Sequence, residues 1–267
     1  MATTATQLRR LADLIARAGL DQAPAVDLLA ATEARERDVI AAHNAALAGA
    51  RDIVNTAADE VAATPTSFAD AARAVVIAEG IAEPARKLRG KAIARIAAEA
   101  HDTFAAMWPD LDTDIIAAHD QALTDLAKLA PTIAGIADDQ AAVKAGHPVA
   151  TAWAKADTIA ARRAALIALR AHAAEMLALP DYHPTDDLRQ YRRPENLRAW
   201  PARATDAPRH RVTRLIDDID AGAEPALCTD DEVAATAARL GTTRPARVHP
   251  FGRNDMALAS LGRYPQD

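Results

Sequence analysis

From Ala25 to Thr64 large apolar side chains fall on multiples of seven, and a repeat of that length permits little except a long helix lying along a partner. Val26, Ile40, Leu47, Val54 and Val61 hold the register; Ala50 and Ala57 fall between them, and Val39 with Ile53 makes a second apolar line. Such a stripe is a heptad-like seam. Pro65 stops it, because proline has no N–H to continue the ladder. About a quarter of the chain is alanine and only 3% is aromatic. Alanine is the best helix former and buries little area per residue, so the chain reads as thin, closely approaching helices rather than a thick core. The expected fold class is all-α, an extended Ala-rich helical bundle with coiled-coil-like packing.

The same pattern continues to residue 179. Thr3 or Thr4 caps a first helix carrying Leu8, Leu11, Leu14 and Ile15, and Gly19 ends it. Asp21 and Pro24 open the long helix. Ser67 is the expected cap of the next, which holds Phe68, Val75, Val76 and Ile81; Pro84 kinks it or starts another, running to Trp108-Pro109. Asp112 or Thr113 caps a further helix ending at Pro131, and a last long one spans Val149–Leu179. No strand-like alternation of any length occurs in this part. Prolines 180, 184, 194, 201 and 208 then forbid a continuous helix and favour extended backbone. The expected domains are a bundle over 1–179, an extended Pro/Arg-rich arm over 180–211 and a small helical and loop region over 212–267. Within the last, Thr229 to Glu232 reads as a capping box, with Gly241 as the stop of the helix that follows.

Several chemistries lack their signature. There is one cysteine, Cys228, so no intramolecular disulfide; it stands one residue before a helix cap, where a thiol pKa can be lowered, although a lone cysteine without a local signature is more often inert. Only two serines occur, Ser67 and Ser260, and neither sits in a G-x-S-x-G elbow. Dinucleotide and phosphate-loop glycine patterns are missing, as are the paired E-x-x-H motifs of a di-iron bundle. Asp110, Asp112 and Asp114 with His119 and Asp120 imitate a metal loop, but an EF-hand register would place Ile115 where glycine is needed and Gln121 where glutamate is needed; acids at a helix N-terminus are the simpler reading. His43, His101, His119 and His172 read as polar-face or satisfied core residues. No enzyme activity, cofactor or metal is expected. No apolar run approaches the ~20 residues of a membrane span, and residues 1–10 lack a signal-peptide core.

The most distinctive feature is the arm. Arg189, Arg192, Arg193, Arg198, Arg203, Arg209, Arg211 and Arg214 face only Glu195 and Asp206, with Tyr182, Tyr191 and Trp200 interleaved. Arginine with aromatics suits anchors on an acidic protein surface. It also suits phosphate contact and base stacking on nucleic acid, or an arm folded back on its own acidic bundle, since the chain carries a net charge of −6.

The Ala-rich helical body, the scarcity of Cys and Ser and the arm from Pro180 to Pro208 resemble, in style, virion-associated proteins of tailed phages of high-GC bacteria. That resemblance rests on no motif and transfers no residue roles. It implies a minor capsid, decoration, scaffold or connector role, in a virion or the host cytoplasm, with protein subunits as partners and homo-oligomers among the assemblies. The alternatives are a nucleic-acid-associated protein using residues 189–214 and a ligand- or metal-binding bundle enzyme with a pocket near Trp108 and Trp153.

Overall fold

The protein is described here from a computed structural model, covering residues 4–179, 187–197 and 210–241. Among these residues the architecture is all-α. Eight helices follow in order: α1 (Thr4–Ala18), α2 (Ala23–Ala63), α3 (Phe68–Ile133), α4 (Asp139–Lys144), α5 (His147–Met176), α6 (Asp187–Gln190), α7 (Arg211–Asp220) and α8 (Asp230–Leu240). The single β feature is an isolated antiparallel bridge between Tyr191 and Pro225. No helix among the described residues is long and apolar enough to cross a membrane.

The chain forms two compact units. In the first, described over residues 4–6 and 26–104, α2 turns through Thr64–Ser67 and α3 runs back beside it. Arg35 of α2 donates to Glu99 of α3 at 2.6 Å, which fixes the antiparallel register. Together with Arg95, it holds the Glu99 carboxyl below the usual range. That register brings Ala57 level with Ala78.

The expected seam is kept over its second half and lost over its first. Ala50 and Ala57 are buried with Leu47, Val54 and Val61 half-buried, facing buried Ala71, Ala78 and Ile96 of α3, whereas Val26, Ile40 and Ile53 are exposed. A straight helix drifts ~20° per heptad against a seven-residue repeat, so a seven-residue line stays on the contact for only part of α2. Ser67 is not the expected cap of α3 either. Its hydroxyl donates back to the carbonyl of Thr64 (2.7 Å) and, more weakly, to that of Glu60 (3.4 Å), closing the end of α2.

Helix α3 corrects two further expectations. It runs for 66 residues, Phe68–Ile133, without ending at Pro109, and no cap forms at Asp112 or Thr113. The Thr113 hydroxyl instead donates to the carbonyl of Pro109 (2.9 Å), inside the helix. An interior proline costs a helix about 3 kcal/mol. Burial of Ile115, Leu126 and Ile133 along the same helix offsets such a cost, at roughly 1.5–3 kcal/mol per fully buried side chain.

The second unit is described over 7–25, 105–179, 187–197 and 210–241. Its axis is α5, with Trp153, Ala156, Ala160, Leu166, Leu169 and Ala173 buried at helical spacing. Helix α1 runs antiparallel to it: Arg162 donates to the Ala18 carbonyl (2.8 Å), and the His172 ring donates to that of Gln7 (3.0 Å). The C-terminal part of α3 packs Leu126 and Ile133 with Trp153, and Val212 and Leu215 of α7 complete that cluster. Asp138 caps α4 by accepting from the Ala141 amide. Helix α8 opens on the expected capping box of Thr229 and Glu232 and ends at Gly241 in the left-handed region.

Candidate functional site

The arm residues and the groups they meet form the densest polar site in the second unit. Residues 189–193 and 223–228 run antiparallel and exchange backbone bonds: Arg192 and Arg193 donate to the carbonyls of Glu224 and Ala223, while Ala226 and Cys228 donate to those of Gln190 and Arg189. The expected extended arm is thus partly helical here, with α6 at 187–190 and a 3-10 turn at Pro194–Asn196. Leu188 packs with Ala226, Cys228 and Val233, and Tyr191 with Leu197 and Ala223.

The arginines in this stretch meet acids of the same chain. Arg189 is buried and paired with Asp230. Arg192 donates to Glu232 at 3.2 Å, and Arg193 lies 2.8 Å from Glu224. Arg211, on α7, grips Asp157 through two bonds of 2.6 Å and holds its carboxyl below the usual range. Arg214 is exposed on the same helix. Tyr182, Arg198, Trp200, Arg203 and Arg209 lie outside the described residues. The complementary signal is in the sequence: residues 215–238 contain seven acids and no lysine or arginine, immediately after the basic stretch.

Three groups that did not stand out in the sequence, Arg163, Arg170 and Asp218, anchor this layer with Asp112, His119 and Tyr191, which did. Arg170, buried on α5, donates from Nε and Nη2 to both oxygens of Asp112 (2.7 and 3.1 Å) and from Nη1 to the Cys228 carbonyl (2.9 Å). Arg163, two helical turns earlier, donates from Nε to Nε2 of the fully buried His119 (3.1 Å). That bond places the imidazole proton on Nδ1. Burial first, then the charges of Arg163, Arg170 and Arg192, push the His119 pKa down to about 3. The Arg163 guanidinium also lies 5.7 Å from the centroid of the Tyr191 ring, within cation–π reach. The Tyr191 hydroxyl donates to Asp218 at 2.7 Å.

These contacts settle the candidate chemistry of individual residues. Asp112 and His119, from the metal-like cluster, are engaged by arginines, and among the described residues no three His, Cys, Asp or Glu side chains are placed to hold a metal. Cys228 is buried, and burial pushes its thiol up to about 11; this agrees with the inert reading of a lone cysteine and not with a thiol activated by the helix cap. Trp153 is a core residue, its Nε1 donating to Asp139 and its ring 4.9 Å from that of His210. The nearby depression over Ala150, Thr151, Ala154, Lys155 and Thr158 carries one ionisable group, Lys155.

The first unit carries a different kind of surface. Among the described residues nine large hydrophobics are exposed, and seven belong to the hairpin: Val26, Ile40, Ile53, Phe68, Val76, Ile77 and Leu88. The last four are each 66–69% exposed. Compared with known proteins, the chain matches no family model, no curated protein and no solved structure.

Proposed function

We propose that this chain is a non-enzymatic structural or interaction protein, a component of a larger protein assembly that meets its neighbours through the helical hairpin of the first unit. The observation that carries the reading is the concentration of exposed large apolar side chains on residues 26–104. Scattered single hydrophobics are ordinary, whereas a grouped set is the mark of an interaction surface. Phe68, Val76, Ile77 and Leu88 are the most exposed of these, and their apolar surface contributes little until something covers it; full burial is worth roughly 1.5–3 kcal/mol for each. The Ala-rich, Cys- and Ser-poor sequence adds the setting to this proposal, a tailed-phage particle or the host cytoplasm in which it assembles.

The arm has a smaller part in this reading than its composition suggested. Arg189, Arg192, Arg193 and Arg211 are matched to carboxylates of the same chain, which leaves less unpaired positive charge for phosphate. The nucleic-acid alternative is correspondingly weakened.

The test is photo-crosslinking of the full chain in the cells that make it, with a benzophenone amino acid in place of Phe68 or Ile77. Discrete adducts are expected at both positions, whether to this chain or to another protein. The exposed Thr158 of the second unit serves as control. Adducts no stronger at 68 and 77 than at 158 would overturn the reading.

A further inference from the structure

The exposed face of α3 in the first unit is self-complementary. Asp70, Ile77, Ile81, Pro84, Leu88 and Arg95 succeed one another at steps of seven, four, three, four and seven residues, the spacing of one helical face. The sequence of steps is the same read in either direction. Ile77 and Leu88 are exposed, Ile81 is half-buried, and Pro84 is exposed between them. Asp70 and Arg95 are exposed at the two ends.

We infer that this face binds a second copy of the chain, antiparallel and two-fold, about an axis between Ala82 and Glu83. A closed two-fold contact requires that residue i meet residue j and j meet i. The palindromic spacing satisfies this: Ile77 meets the second copy's Leu88, Ile81 its Pro84, and Asp70 its Arg95, each twice. The charge along the hairpin fits the same orientation. Residues 51–83 hold six acids and two bases, while residues 84–95 hold five bases and no acid. Antiparallel pairing lays the acidic tip of one hairpin on the basic belt of the other; parallel pairing stacks like on like. Asp70 and Arg95 have local partners, Arg73 at 3.3 Å and Glu99 at 3.0 Å. These are exposed same-helix pairs, worth only a few tenths of a kcal/mol. This inference rests on the hairpin being an interaction surface, and it names the occupant.

The test uses the purified full chain. Sedimentation equilibrium is expected to give twice the 28.2 kDa mass of one chain. Ile77→Glu or Leu88→Glu should weaken association about tenfold or more. Asp70→Arg and Arg95→Asp should each weaken it, and the double reversal should restore it.

Disulfide trapping fixes the direction, since the native Cys228 is buried. Under mild oxidation a mixture of the Ile77→Cys and Leu88→Cys chains should crosslink, while either alone should not. In an antiparallel pair the two copies of residue 77 lie about 16 Å apart, eleven residues at ~1.5 Å rise. A single-chain mass at all concentrations, or efficient crosslinking of Ile77→Cys with itself, overturns the proposal. A single-chain mass together with a discrete adduct to another protein at position 77 refutes this occupant and leaves the interaction surface standing. Absence of both refutes the two together.

Discussion

Replacing Arg170 with methionine is expected to destabilise the second unit by about 3–5 kcal/mol, the usual cost of removing one partner from a buried ion pair. The side chain is 6% exposed and its three donors serve α3 and the segment before α8 at once: both Asp112 oxygens and the Cys228 carbonyl. Methionine fills much of the volume but leaves the carboxylate, 22% exposed, without its partner. Lysine at this position should recover only part of the loss, because a point charge on a flexible stem cannot make a fork of bonds to two oxygens and a carbonyl. Removing the acid as well, in Arg170→Met with Asp112→Leu, should restore stability, since a well-packed apolar pair is often no worse than the ion pair it replaces. Thermal melting of the four proteins reads the series. A melt of Arg170→Met indistinguishable from the parent would mean that the fork does not hold the layer together.

The second large effect is on the response to acid. His119 is buried as the neutral imidazole, with Nε2 accepting from Arg163. Three guanidiniums raise the cost of adding a proton, on top of burial itself. Its folded pKa of about 3 lies below the ordinary histidine value of 6.5, so between these values the unfolded chain binds the proton and the folded chain does not. Stability from this group is therefore complete above pH 6.5 and falls as the pH drops towards 3. The slope approaches about 1.4 kcal/mol per pH unit. Over pH 6.5 to 5 the expected loss is on the order of 2 kcal/mol. Glutamine at 119 keeps an acceptor for Arg163 and has nothing to titrate, so urea midpoints of His119→Gln should be flatter across that window. Equal slopes for the two proteins would show that the acid response arises elsewhere.

The all-α class was legible because its signals are local. The 3.6-residue period, the alanine content and the capping box at Thr229 with Gly241 each act over a single turn or two. The helix ends of α1 and α2 were legible for the same reason. The continuity of α3 was not. Pro109 is a local stop signal, and what outweighs it is burial of Leu126 and Ile133 against α5 and α7, helices distant in sequence. The seam of the hairpin was legible in part. Ala50 and Ala57 of the expected stripe are buried and Leu47, Val54 and Val61 half-buried, while Val26, Ile40 and Ile53, which a seven-residue repeat also selects, are exposed. At the arm, Arg189 to Arg214 left three readings open, a protein-binding surface, a nucleic-acid surface and an arm folded back on its own acids, because composition shows charge but not pairing. The acids at 217–232 were the signal that partners were available within the chain. Arg163 and Arg170 looked like ordinary arginines of an amphipathic helix; only the fold turns them inward.

Hydrogen exchange offers the most direct test of where this protein meets its neighbours. The tagged full chain would be compared as an isolated protein at high dilution and within the assembly recovered with it from the cells that make it. Amides of the hairpin, residues 26–104, should exchange more slowly in the assembly, with residues 187–197 unchanged because Arg189, Arg192 and Arg193 already pair with acids of the same chain. Slowing confined to 187–197, with the hairpin unaffected, would contradict the account and return the arm to the role of binding surface.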